Sequence, residues 1–264
     1  MSQNLTPVQN YDDGLPVHFL TGKNYLYQTL FCIHSLTKVA SEKFKFILVD
    51  DGSFDKAMIA QIEKQLPGSK IVTKKDIANN LDKYLPESTY PCLRQKRKIY
   101  PHLKKLTDIH TIPGDNWKLV MDSDMLFWKK PMEVISWHKN PTQPVYMLDC
   151  TESYGYSKQL MQELSGNPIP DLLNVGIIGQ KSADIDWIKL ENWIKTLEEK
   201  EGASYYLEQA LTAMLIGNKN SIILNADLYK VNPVTINDST PVLHHYVDLS
   251  KKIYYTKAWK KVLS

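Results

Sequence analysis

Cysteine is scarce in this chain, and long apolar runs are missing. Cys32, Cys92 and Cys150 lie far apart without metal-type spacing, and their odd number leaves at least one free thiol. That speaks against a disulfide or zinc scaffold and for a reduced, cytoplasmic setting. No apolar stretch approaches the roughly 20 residues that cross a bilayer. The opening MSQNLTPVQNYDDG lacks the basic-then-apolar pattern of a signal peptide. Excess charge is also absent: 32 Lys and Arg against 29 Asp and Glu leave +3, which rules out a polycation and makes nucleic acid an unexpected partner.

What is present is ordinary globular composition, 43% hydrophobic and 23% charged, in a chain long enough for one large core. Residues 1–16 read as a loose polar lead-in. Val17–Leu20 then reads as a strand, Tyr25–Val39 as a helix with apolar residues at helical spacing, and Phe44–Val49 as a second strand. A helix over Asp55–Gln65 and a short strand at Ile71–Val72 follow. Alternation of this kind is the signature of a parallel sheet with crossover helices. Asp76–Leu106 is expected to be mainly helical with an irregular middle around Glu87–Pro91. Further strands are expected at Leu119–Met121, Val145–Leu148, Val175–Gly179, Ile222–Leu224 and Val242–Tyr246, with helices over Ile185–Lys200 and Ser204–Ile216. No repeat or linker interrupts residues 17–264, so the reading is one α/β domain with a mixed, mainly parallel central sheet flanked by helices, ending in a tail from about residue 247.

Sheets of this class bind ligands where strands end. Polar clusters fall at four such places: Thr21-Gly22, Asp50-Asp51-Gly52-Ser53, Asp122-Ser123-Asp124 and His244-His245. The second would serve equally as a turn and helix cap. The third follows the apolar Leu119-Val120-Met121 and returns at once to Met-Leu-Phe-Trp. Carboxylates two apart in a strand share a side, so Asp122 and Asp124 could meet one divalent ion, Mg²⁺ or Mn²⁺, both suited to hard oxygen ligands.

In order along the chain, HFLTGKNYLYQTLFCIHSL, FILVDDGSFD, KLVMDSDMLFWKKP, LLNVGIIG and YLEQALTAML resemble the landmarks of GT-A-fold (Rossmann-like) glycosyltransferases, and of glycosyltransferase family 8 most of all. The resemblance spans about Val17 to Trp259. It implies a metal-dependent enzyme that moves a sugar from a nucleotide-diphosphate donor, a UDP-sugar, to a carbohydrate, lipid-linked or protein acceptor. It implies donor contacts from Phe19, Leu20, Thr21 and Tyr25, with Asp51 or its neighbour Asp50 on the base or ribose. Asp122 and Asp124, flanking Ser123, would hold the ion that bridges the donor phosphates. His245, with His244 as alternate, would complete the metal site, and Lys251 six residues on would reach the diphosphate. Asn174, Asp149, Glu208 and Gln209 would face the donor sugar and reacting carbon, with Glu208 standing where the family usually has Asp. The late His-Lys pair leans to retention of configuration, whereas the Asp-Asp-Gly-Ser loop is more common in inverting enzymes.

Two basic tracts remain. RQKRKIYPHLKK precedes the acidic strand, where the enzymes it resembles place an Arg or Lys near the donor phosphates; the resemblance implies that role for Arg94 and Lys98, at i, i+4 spacing. The closing KKIYYTKAWKKVLS mixes Lys with Tyr and Trp, which suits peripheral contact with the anionic inner face of a membrane, or docking on the chain's own domain. Two other functions share the carboxylate pattern. A nucleotidyltransferase should carry a Gly-rich basic phosphate loop, which Leu20-Thr21-Gly22-Lys23 matches poorly. A non-catalytic nucleotide- or sugar-binding module would not need the metal residues.

Overall fold

Alternation within the strands decides the architecture. In the computed structural model, which describes residues 2, 5–217, 219–236 and 241–263, successive strand residues fall into two separate cores. Val17, Phe19, Phe46, Leu48, Leu119 and Ile177 join one, while Ile47, Val49, Val120 and Ile178 join the other. A sheet buried on both faces needs apolar residues at consecutive positions, which is why Phe44–Val49 reads as a continuous apolar run.

The first half alternates as the sequence suggests: β1 (Leu15–Thr21), α1 (Leu26–Val39), β2 (Phe44–Asp50), α2 (Lys56–Gln65) and β3 (Lys70–Val72). The expected long helical segment is three helices, α3 (Lys74–Tyr84), α4 (Pro91–Ile99) and α5 (Leu103–His110). Then come β4 (Trp117–Met121), β5 (Met125–Phe127), α6 (Met132–Lys139), β6 (Val145–Leu148), α7 (Lys158–Ser165) and β7 (Leu173–Lys181). The rest is α8 (Trp187–Glu201), α9 (Leu207–Ile216), β8 (Ile222–Ile223), β9 (Tyr229–Val231), β10 (Leu243–His245) and a helical tail over residues 251–263. The seven-stranded sheet runs β3-β2-β1-β4-β7-β6-β8, and β7 alone opposes its neighbours. A second sheet, β5-β10-β9, stands beside it.

Local chemistry fixes the helix starts. Asp55 accepts a hydrogen bond from Met58 N to open α2, and Thr73 with Asp76 forms a capping box on α3. Helix α4 has no cap of its own; the Glu191 carboxylate of α8 accepts from the Cys92 and Leu93 amides at 2.7 and 2.8 Å. The lead-in is held, not loose, from residue 5 onward. Val8 N donates to Gln65 O, and the Asn10 side chain accepts from Phe46 N and donates to Gly68 O. The Phe46 bond satisfies an amide at the β2 edge beyond the reach of the three-residue β3, and the other two tie the segment to the end of α2 and the loop after it.

The end of β4 away from the strand-end clusters buries two histidines with no acidic partner in their hydrogen bonds. His18 Nδ1 donates to Leu119 O at 3.2 Å; His110 bonds Ser182 Oγ at 2.9 Å and takes a bond from Gln180 Nε2 at 3.1 Å. Burial pushes His18 down to about 3 and His110 well below the ordinary imidazole value, with the Lys118 ammonium adding to both. The unfolded chain therefore binds more protons than the folded one between about pH 6.5 and 3. Stability is full above that window and falls as pH drops into it, by up to about 1.4 kcal/mol per pH unit for each imidazole. Lys118, which burial pushes down to about 8, titrates above this range. Urea midpoints should fall steadily from pH 6.5 to 4.5, with a shallower slope in His110→Gln. A flat profile would contradict buried neutral imidazoles.

Candidate active site

Asp122-Ser123-Asp124 is the crossing between the two sheets. Strand β4 ends at Met121 and β5 begins at Met125, so the carboxylates do not share a strand face as expected. Backbone bonds bring them together: Asp122 N donates to Gly176 O of β7, and Tyr246 N of the small sheet donates to Asp124 O, both at 2.8 Å. The β5–β10 register pairs Met125 with His245. One residue before Met125 is Asp124, so the register delivers His245 to the carboxylates. His245 Nε2 lies 3.1 Å from Asp124 Oδ1 and 3.7 Å from Asp122 Oδ2, and one ligand atom from each residue falls within 4.8 Å of the others. His244 alternates to the opposite side, with its ring edge-on to Trp128 and Nδ1 3.2 Å from the Tyr246 hydroxyl. The structure thus brings His245, and not His244, to the acidic pair.

The donor set fits a hard or borderline divalent cation: two carboxylates and an imidazole on one side, open cavity on the other for phosphate oxygens and water. Burial alone would raise the Asp124 carboxyl, but His245 outweighs it and holds Asp124 below its ordinary value. Reciprocally, Asp124 raises His245 against the effect of burial. Space for the imidazole comes from Gly176, where an added Cβ would sit 2.6 Å from His245 Cε1 and Nδ1 and 2.8 Å from Asn174 Oδ1.

These residues open on a cavity of about 490 Å³. Asp51 also lines it, and its Oδ1 accepts from the Ser53 amide at 3.0 Å and from the Ser53 hydroxyl. Gly22 makes room for that carboxylate, since a Cβ there would meet it at 2.0–2.1 Å. Leu20, Tyr25, Ser123 and Lys251 also line the cavity. Phe19, Thr21 and Asp50 do not, contrary to expectation. Phe19 is wholly buried in the core, and the buried Thr21 hydroxyl accepts from Thr29 Oγ1 at 2.7 Å. Asp50 turns inward to accept from the Gly52 and Phe54 amides, a turn-forming use of its carboxylate.

On the sugar side of the expectation, Asp149, Asn174 and Gln209 form one network. Asp149 Oδ2 accepts from Asn174 Nδ2 at 2.9 Å and Gln209 Nε2 at 3.4 Å, while Asn174 Oδ1 accepts from Gly176 N at 2.8 Å. All three line the cavity, as does Glu208.

The basic run is where the reading missed. Arg94 bonds Leu85 O and Asp82, and Lys98 pairs with Glu87 at 3.7 Å; neither lines the cavity. Both belong to α4, which packs against α8. The break at Tyr100-Pro101 starts α5, and α5 points the next cations at the site. Lys104 Nζ donates to Asp51 O, and Lys105 Nζ lies 2.9 Å from Asp122 Oδ1 and 3.4 Å from Glu208 Oε2. Burial opposes the Lys105 charge, yet those two carboxylates raise its pKa; burial pushes Glu208 up to about 7 against the pull of Lys105. The Tyr-Pro break was the available signal, because a proline there marks a new helix start. The other unforeseen feature is Tyr205, 64% exposed at the cavity, its ring 4.5 Å from that of His102.

No protein-family model and no curated protein matches this sequence. Solved structures do match. The galactosyltransferase LgtC, crystallised with donor and acceptor sugar analogs, aligns with TM-score 0.63 at 16% identity, covering 94% of each chain. Mouse xyloside xylosyltransferase 1 aligns at 0.56 and 11% identity, over 90% of this chain and 98% of that one. The glycosyltransferase GlyE of Streptococcus pneumoniae aligns at 0.53 and 13%, over 95% of this chain and 62% of its own. At such identities the likeness establishes the fold, and the GT-A α/β fold read from the sequence is the fold these enzymes share with this chain.

Proposed function

We propose that this GT-A chain is a metal-dependent glycosyltransferase of the family 8 kind, moving a sugar with retention from a UDP-sugar to an acceptor. The observation that carries this reading is the convergence of Asp122 and Asp124, from mid-chain, with His245, 121 residues after Asp124, on a cavity that Asp51 also lines. Mn²⁺ or Mg²⁺ held there would neutralise the donor diphosphate and assist its departure as a Lewis acid. Lys251 faces the same space and adds a point charge for the phosphates. Asp51 and Tyr25 are the nucleoside wall. Asp149 orients the Asn174 and Gln209 amides toward the sugar, with Gln209 at the reacting carbon.

The test is calorimetric titration of UDP with and without Mn²⁺, followed by a thermal-shift screen of UDP- and GDP-sugars; a donor stabilises with the logarithm of its concentration over its dissociation constant. UDP affinity indifferent to Mn²⁺ would sink the reading. Release of pyrophosphate from a nucleoside triphosphate offered with a sugar 1-phosphate, with no release of UDP from UDP-sugars, would instead make the chain a nucleotidyltransferase, and binding without turnover a non-catalytic module.

Asp51→Asn is expected to weaken UDP binding roughly 10-fold or more, the worth of one charge-assisted hydrogen bond, while leaving the Mn²⁺ requirement intact. Loss of the metal requirement would mean that the two acidic clusters had exchanged roles.

No helix among the described residues is long and apolar enough to cross a membrane. The tail supports surface contact instead. Tyr254, Ala258 and Val262 turn inward at helical spacing, while Lys252, Lys257 and Lys260 face out beside Tyr255 and Leu263, with the exposed Leu249 just before them. Each lysine near an anionic surface is worth about 1 kcal/mol. Lys252→Glu with Lys257→Glu should cut cosedimentation with phosphatidylserine vesicles on the order of 30-fold or more, and 0.5 M salt should mimic it. Unchanged sedimentation would leave the tail as a docking element only.

A further inference from the structure

Lys105 is enclosed, with its side chain 7% exposed, and Glu208 beside it is 6% exposed. A buried ammonium needs partners, and this one has three: Asp122 Oδ1 at 2.9 Å, Glu208 Oε2 at 3.4 Å and Val175 O at 3.5 Å. Asp122 therefore spends Oδ1 on lysine and turns Oδ2 toward His245, 3.7 Å away. Glu208 projects from the first turn of α9 and Lys105 from the first turn of α5, two helices in direct contact. An aspartate at 208 would fall one methylene short of the lysine.

We infer that Lys105 and Glu208 form a buried strut that fixes how Asp122 meets the metal: Glu208 holds the lysine, the lysine occupies Oδ1, and Oδ2 alone is offered to the ion. This rests on Asp122, Asp124 and His245 being the cation site. Both residues line the cavity, and toward the ion both are positioning residues, Glu208 acting through Lys105. Outer partners of this kind typically change metal affinity 10- to 100-fold.

Charge alone makes a different forecast, so the two can be separated. Lys105→Met combined with Glu208→Met keeps the net charge and replaces a buried pair by apolar side chains, an exchange that is often neutral for stability. Mn²⁺ titration followed by electron paramagnetic resonance, alone and with saturating UDP, should show a dissociation constant 10- to 100-fold higher than that of the native chain, with little change in melting temperature. Native affinity in the double variant would overturn the strut. Should that variant not fold, Glu208→Asp keeps the charge and shortens the arm, and a Mn²⁺ affinity weaker than native is expected; native affinity overturns it. Glu208→Gln should weaken UDP and UDP-galactose binding in Mn²⁺ by the same factor. Loss confined to UDP-galactose would make Glu208 a sugar contact and overturn the inference. Asp124→Asn separates the premise: if it binds Mn²⁺ normally, the cation site itself fails, whereas loss in Asp124→Asn with retention in the double variant condemns the strut alone.

Discussion

Asp124→Ala is expected to lower Mn²⁺ affinity by at least about 100-fold and to remove the metal-dependent part of UDP binding. Asp124 is the carboxylate nearest His245, at 3.1 Å, and His245 keeps that carboxylate ionised, the form that ligates a cation. Taking one away leaves a two-ligand remnant and an imidazole without its anchor. Outer partners of metal sites are already worth 10- to 100-fold, so a direct ligand should cost no less. Asp122→Ala should act similarly and also leave Lys105 with only Glu208 as charge partner, which predicts a lower melting temperature as well. Calorimetry with Mn²⁺, with and without UDP, reads both. A variant at Asp124 with native metal affinity would end the assignment of the acidic triplet.

The second large effect is expected from a single methyl group. Gly176→Ala places a Cβ 2.6 Å from the His245 ring and 2.8 Å from Asn174 Oδ1, closer than any real contact of that kind. Neither neighbour can yield cheaply, since His245 is buried and Asn174 is bonded to Asp149. Overpacking of this type costs about 1–3 kcal/mol, a fall of several degrees in Tm for a chain of this size. The displaced ring should also cost Mn²⁺ affinity. Gly179→Ala is the comparison: its Cβ would meet Trp137 at 2.3 Å, inside the core behind the sheet. It should lower Tm without a specific change in metal binding. Equal metal loss in both would mean that Gly176 matters only for stability.

Much of this site was legible because its chemistry sits on strands. Phe44–Val49 and Leu119–Met121 announce themselves as doubly buried, and the carboxylates that follow them stand out against apolar flanks. His245 was legible only beside its neighbour His244, because alternation separates the two but sequence does not say which face is inward; the pairing with β5 does. Phe19, Thr21 and Asp50 were misread for the same reason. At a strand end, the residue that meets ligand is chosen by the following turn, and Asp50 closes that turn while Asp51 faces out of it. Lys105 was hidden among five neighbouring cations whose directions depend on where one helix stops and the next begins. Strands β5 and β9, three residues each, carry too little pattern to read and exist because β10 lies between them.

The crossing of the acidic triplet between sheets has a mechanical consequence. Asp122 hangs from the large sheet through Gly176 O, His245 belongs to the small one, and 121 residues separate Asp124 from His245 along the chain. An ion shared by them is a rivet through two plates, closing a loop whose entropy the unfolded chain must otherwise regain. Amides of β9 and β10 should then exchange hydrogen more slowly when the rivet is in place, while those of β1 and β2, paired only within the large sheet, should be indifferent to it. The small sheet is in that sense a gauge of occupancy, read from the backbone and not from the sugar.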